Sequence, residues 1–366
     1  MKDIKIGIIT VQKTVNYGGM LQAFSSYKVM SCHGKCELID YENKHVKKNL
    51  SLIRIDFSLR GILRAFKDIL RVIPKKRAIN RFKIFFNQIE YSPIVTSETL
   101  GSLSGRYDYL ISGSDQIWNP TCVTPDGTLD KTYLLSFDDK AVKVSYASSM
   151  GSYQPENSYL EEMKNELSKF KSISVREADM VEKLKPLRLS MEHVVDPTLL
   201  LTAEEWLEYT GNSCVSKNKE NKRIVTYFLK KTELTAKTVK AVKDLTNNIV
   251  RAITLDVDPG KYVDEHLNDI GPSEFIREFY ESDFIVTDSF HGVVFALIFR
   301  KPFLAVSHGY NINRIESLLS SIGSESRIIT DENALSNVQI LQDIANYNEL
   351  ERLVSRSHSF IKKSFS

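Results

Sequence analysis

Short apolar runs bounded by polar turns alternate along this chain with longer stretches whose apolar positions recur every three or four residues. Lys5–Thr10, Cys36–Tyr41, Tyr107–Ser112, Lys143–Ala147 and Ser172–Val175 read as strands, with Gly19–Cys32 and Glu177–Lys185 as helices among them. Val194-Val195-Asp196-Pro197-Thr198 is extended and ends in a proline stop, and Asn212–Asn221 is polar. A second set of strands follows at Arg223–Leu229, Ile249–Thr254, Phe284–Thr287 and Pro302–Val306. Alternation of this kind predicts parallel sheets with crossover helices. A chain of 366 residues exceeds one ordinary core. The expectation is an α/β protein of two Rossmann-like domains, residues 1–205 and 206–366, whose parallel sheets face a central cleft. The amphipathic stretch Asn348–Lys363 could cross back onto the first domain.

Composition adds one asymmetry. Net charge is +3, yet Lys44 to Lys83 holds thirteen lysines and arginines against Asp56 and Asp68, an excess of eleven, so the rest must carry eight negative charges. Within it Ile62, Leu63, Phe66, Ile69, Leu70 and Ile73 recur at helical spacing beside Arg60, Arg64, Lys67 and Arg71. A basic amphipathic helix can lie on an anionic membrane face, or pack on its own domain with a solvated basic side. No nucleic-acid motif surrounds it, and nucleic acid is not expected as a partner. The four cysteines contain one close pair, Cys32 and Cys36, with no second pair to complete a metal site, so reduced thiols and no metal are expected. Met1–Thr10 is too short and charged for a signal peptide, and no apolar run spans a bilayer, which points to the cytoplasm.

Candidate chemistry gathers at predicted strand ends. Asp288-Ser289-Phe290-His291-Gly292 follows Phe284–Thr287 and opens a helix, which makes it an anion site with a proton-transfer group beside it. Equally, Asp288 or Ser289 could cap the helix with His291 merely hydrogen-bonded. Asn16-Tyr17-Gly18-Gly19, with Gln22 a turn later, lets backbone approach a ligand, or is a tight turn; it is not a dinucleotide fingerprint. Ser114-Asp115-Gln116-Ile117-Trp118-Asn119 offers a carboxylate, amides and an indole, the set a sugar needs, against the alternative of a capping Asp115 and a core Trp118. Arg176 directly follows a strand and could fork onto a carboxylate or phosphate, or pair with Glu177 or Asp179. Arg314 comes shortly after the strand ending at Val306.

Taken in order, NYGG at Asn16–Gly19, GSDQIWNP at Gly113–Pro120, SYASSMG at Ser145–Gly151, SVRE at Ser174–Glu177, VVDPTLLL at Val194–Leu201 and DSFHG at Asp288–Gly292 resemble the polysaccharide pyruvyl transferase family. The resemblance implies a GT-B-like fold and transfer of pyruvate from phosphoenolpyruvate, a co-substrate rather than a resident cofactor, onto two hydroxyls of a hexose. It implies catalytic roles for His291, Arg176 and Arg314, with Ser289, Phe290 and Gly292 on the donor side. The acceptor side would be Asn16, Tyr17, Gly18, Gly19, Gln22, Ser114, Asp115, Gln116, Trp118 and Asn119. It further implies a galactose-like acceptor on a lipid diphosphate carrier for capsular or exopolysaccharide. Many relatives carry arginine two residues before the histidine; here Ser289 stands there. Ser289 Oγ, backbone N–H groups, Arg300 or Lys301 could replace that contact. A sugar-nucleotide glycosyltransferase and a non-catalytic scaffold of polysaccharide assembly are the alternatives.

Overall fold

The computed structural model describes residues 4–13, 15–47, 71–211, 222–307, 312–335 and 345–366. Among them the chain forms two compact units, each with its own six-stranded, wholly parallel sheet. The first unit is Met1–Asn49, Asn87–Leu201 and Tyr347–Ser366; the second is Leu50–Phe86 and Thr202–Asn346.

In the first unit the strands are β1 (Lys5–Ile9), β2 (Lys35–Leu38), β3 (Tyr109–Ser112), β4 (Val142–Ser148), β5 (Phe170–Val175) and β6 (Glu192–His193), in spatial order β2-β1-β3-β4-β5-β6. The second sheet holds β7 (Arg223–Tyr227), β8 (Ile249–Ile253), β9 (Glu265–Leu267), β10 (Phe284–Thr287), β11 (Phe303–Val306) and β12 (Ile328–Ile329), ordered β12-β11-β10-β7-β8-β9. Central strands are buried on both faces, which is why they read as unbroken apolar runs: all four residues of β10 and of β11 are buried. The edge strands β6, β9 and β12 are two or three residues long and leave no periodicity to detect.

Each order reverses once. Connections from β1 and β3 leave in opposite directions, as do those from β7 and β10, so each sheet opens a crevice at the carboxyl ends of those strands, where α/β sheets bind ligands.

Two helices lie across a cut near residue 205. The helix Val72–Phe86 packs with Pro272–Glu281 of the second unit, where the Arg81 guanidinium donates to the Asp269 carbonyl at 3.1 Å. The helix Tyr347–Phe365 belongs to the first unit: Ser357 Oγ accepts the Val195 N–H at 3.0 Å, and the Phe365 ring stacks 4.6 Å from His33.

Of the basic stripe, Arg60, Arg64 and Lys67 lie outside the described residues, while Arg71 is ion-paired with Asp256. No described helix is long and apolar enough to cross a membrane. Cys32 and Cys36 are free thiols, and burial pushes the Cys36 pKa up to about 12.

Candidate functional site

In the second unit, the crevice between β7 and β10 is built by the residues around Asp288. Its buried carboxylate accepts the backbone N–H groups of Leu229 at 2.6 Å and Lys230 at 2.8 Å, tying the loop after β7 to the turn after β10. Thr287 Oγ1 donates to the Tyr227 carbonyl and accepts the Ser289 N–H. Ser289 caps the helix Phe290–Ile298, its Oγ accepting the Gly292 N–H at 3.4 Å. A Cβ on Gly292 would stand 2.3 Å from Thr287 Oγ1, so only glycine lets the helix start so close to its strand. These contacts aim the helix N-terminus, with its partial positive charge, at the carboxyl edge of the sheet.

His291 lies in the first turn of that helix and is 6% exposed. Its ring meets Phe290 edge to face, centroids 5.1 Å apart, and the Arg314 guanidinium sits over the same Phe290 ring at 5.7 Å. Phe290 thus joins the two expected reactive residues of this unit, an imidazole and a cation held on one aromatic ring. Arg300 and Lys301 follow the carboxyl end of the helix, a rise of roughly 13 Å from its start for nine residues. They are excluded as replacements for the missing arginine. Ser289 Oγ is occupied as a cap, and among the described residues the helix N-terminus and Arg314 are two positive features at the turn. Lys230, which sequence reasoning missed, joins the same edge through its Asp288 bond; only the β7–β10 adjacency reveals it.

The first unit gathers its motifs differently. Arg176 leaves the end of β5 4% exposed and donates from three nitrogens: Nε to Glu177 at 3.0 Å, Nη1 to Asp196 at 2.9 Å, and Nη2 to Ser149 Oγ at 3.0 Å. Asp115 stands 3.9 Å away. Burial works against the arginine's charge, but the three carboxylates outweigh it and hold its pKa above the ordinary value. Ser114 Oγ donates to the same Asp196 oxygen at 3.4 Å. His193 Nε2 lies 3.1 Å from the Arg176 carbonyl, and burial pulls this imidazole's pKa below its ordinary value. Four motifs therefore meet in one buried ion network that contains its own anions. The expectation of an open Arg176 fork is corrected: its pairing reaches Glu177, one of the two acids weighed, and Asp196 rather than Asp179. Asp196 had a detectable signal, an Asp-Pro-Thr cap before an apolar run, and its Oδ1 does accept the Thr198 N–H.

The acceptor-side expectation divides. Trp118 is 1% exposed and packs in the core with Leu110, Leu134 and Met163; its ring is not offered to a sugar. The reason is local: Tyr159 donates to the Trp118 carbonyl and seals the segment. Asn119 caps the helix Pro120–Val123, and its Nδ2 donates to Gln116 Oε1 at 3.0 Å. Gln116 in turn fills the space over Gly151, where a Cβ would stand 2.1 Å from Oε1. Asp115 holds a positive φ of 70° and accepts the Gln116 N–H. Asn16 caps the helix Tyr17–Ser31 through Gly18 and Gly19, and Tyr17, Gly18 and Gly19 are buried in its first turn. Gln22, fully buried, donates to Thr10 Oγ1, which donates to the Ser114 carbonyl, so the two acceptor-side loops are joined across the β1–β3 crevice. Among the described residues no group of three His, Cys, Asp or Glu could hold a metal ion.

Over the whole chain the structure is similar to the UDP-GlcNAc 2-epimerase of Neisseria meningitidis bound to UDP-GlcNAc, at 10% identity, 99% coverage of both chains and a TM-score of 0.53. It is also similar to a putative UDP-N-acetylglucosamine 2-epimerase of Listeria monocytogenes, at 9% identity, 96% and 91% coverage and a TM-score of 0.51. At such identities the likeness concerns the fold alone, which is the GT-B class. No curated protein matches the sequence. Residues 16–310, from the Asn16 cap through the Arg176 network to beyond the His291 turn, match one family description, and on that match the chain belongs to the polysaccharide pyruvyl transferase family.

Proposed function

We propose that the protein takes the pyruvyl group from phosphoenolpyruvate and places it on two hydroxyls of a galactose-like hexose, as a cyclic ketal, with release of phosphate. The observation that carries this reading is His291 at the β7–β10 crevice, beside a helix N-terminus and linked through Phe290 to Arg314, in a pyruvyl transferase chain. Phosphoenolpyruvate is an anion at both ends. A helix N-terminus and a guanidinium suit its carboxylate and phosphate.

The atoms balance as follows. A proton adds to the methylene carbon, making a methyl group and an oxocarbenium-like centre; one sugar hydroxyl attacks that centre. The bond from the centre to the phosphate oxygen breaks, the second hydroxyl closes the ring, and the two hydroxyl protons restore the acid and protonate phosphate. An imidazole can both deliver a proton and take one up. Cations at the leaving phosphate stabilise the charge it gains. Arg176 acts in this reading as a positioning residue that holds the Asp115 loop. The acceptor is carried on a lipid diphosphate at the cytoplasmic face of the membrane, with capsular or exopolysaccharide as the product.

The test is incubation with phosphoenolpyruvate and methyl β-galactoside, following inorganic phosphate and the product mass expected for a ketal. Turnover of a sugar nucleotide with no phosphate release would support a glycosyltransferase instead; neither reaction would support a scaffold.

A further inference from the structure

Beside the β1–β3 crevice of the first unit, and lined by none of the residues considered so far for the acceptor, two pockets of about 100 Å³ and 370 Å³ adjoin and share Tyr41, Glu42 and Asn43. The loops after β1 and β2 form the smaller, and Asp130 with the start of the helix Lys44–Lys47 helps form the larger. Together they reach the size of a small-molecule site.

Two residues that line them each carry a buried polar atom with no hydrogen-bond partner. Gln12, 8% exposed, donates through Nε2 to the Ile39 carbonyl, but its Oε1 accepts nothing. Nδ1 of His45, a residue that lines the larger pocket, also has none. Buried polar atoms are rarely left so, because each forfeits its hydration, and such exceptions mark a place where a ligand or water completes the shell.

Charge decides the class of ligand. Lys13 is ion-paired with Asp40, and Asp130 accepts from Tyr41 Oη at 3.3 Å and the Thr132 N–H at 3.0 Å, so the lining carries no excess of positive charge. An anion finds no clamp here, and an apolar ligand would leave Gln12, His45 and the carboxylates desolvated. Hydroxyls both donate and accept, and the half-buried Tyr41 lines both pockets as an aromatic neighbour for a sugar. Burial pushes the Tyr41 pKa up to about 12, so its hydroxyl remains a donor.

We propose that this pocket, with Gln12, His45 and Asp130 as its contacts, binds a neutral saccharide portion of the acceptor. Which glycan it serves rests on the pyruvyl-transfer reading; that the pocket binds a saccharide does not. The test uses the full chain with methyl β-galactoside and lactose as probes, read by saturation-transfer NMR and, separately, by phosphate release from phosphoenolpyruvate. Asp130→Asn keeps the shape and the cap on Thr132; His45→Phe keeps a ring without Nδ1. Each is expected to remove most saturation transfer and to raise the acceptor KM about ten-fold, the factor expected for one lost hydrogen bond to a buried group, while the phosphoenolpyruvate KM stays within two-fold. Saturation transfer in the unaltered protein that both variants lose, without any phosphate release, supports the pocket and sinks only the pyruvyl-transfer reading. No saturation transfer from either sugar, or variants with unchanged saturation transfer and KM, overturns the pocket even if phosphate is released.

Discussion

The carboxyl edges of the two sheets are made of similar parts and end up chemically opposite. In the first unit Arg176 leaves its strand into three carboxylates and a hydroxyl and is buried with them. In the second, Arg314 rests on an aromatic face beside His291, and Asp288, the acid of that turn, accepts backbone N–H groups. A buried arginine held by carboxylates of its own unit stabilises geometry, because releasing it would strand charges in a medium that cannot solvate them. A cation over a π face stands in a different setting, beside an imidazole rather than among carboxylates. One arginine therefore organises a loop, while the other stands at the crevice beside His291.

Removing the imidazole puts this contrast to its hardest test. His291→Ala should lower the rate of phosphate release by about 10² to 10⁴, the usual worth of a positioned acid–base group, with phosphoenolpyruvate affinity changed only a few-fold in a titration. Near-normal rates would mean that the histidine is structural. Arg176→Ala should instead unfold more easily, by about 3–5 kcal/mol in urea titration, since it leaves buried carboxylates unpaired. If that variant kept its stability and lost only phosphoenolpyruvate affinity, Arg176 would be a substrate clamp and the contrast would fail. Arg314→Ala should weaken phosphoenolpyruvate binding by about 1.5–3 kcal/mol, the range for a bond to a charged group, with an unchanged unfolding midpoint. Gly292→Ala should cost about 1–3 kcal/mol through its collision with Thr287 Oγ1, checked by thermal melting.

The smallest effect concerns pH. Burial lowers the folded-state pKa of His193 below its ordinary 6.5, so the folded chain takes up this proton later than the unfolded one. That contribution to stability is complete above about pH 6.5 and is lost as pH falls through the lowered value. Melting temperatures at pH 7 and 5.5 should therefore differ less in His193→Gln than in the unaltered protein.

How far the sequence carried can be argued from particular residues. The run Phe284–Thr287 names its strand to the residue, because a strand buried on both faces has nothing polar to blur it. The DSFHG turn was legible for the same reason: a polar cluster between a buried strand and a buried helix must sit at the sheet edge. Its two readings were not exclusive, for Ser289 caps the helix and His291 still lies at the crevice. The Asp115–Asn119 loop misled, since a tryptophan among polar residues looks exposed until Tyr159 and the surrounding core close over it.

Local pattern, then, determined the strands, the helix starts and the family motifs, because burial on a sheet and capping of a helix are decided by residues within a few positions. Tertiary structure alone decided which carboxylates meet Arg176, that Phe290 carries Arg314 to His291, that Val72–Phe86 packs in the second unit, and that Gln12 and His45 line one pair of adjoining pockets. These are contacts between residues tens to hundreds of positions apart, and a charge or an aromatic ring has no preferred partner until the fold brings one within a few ångströms.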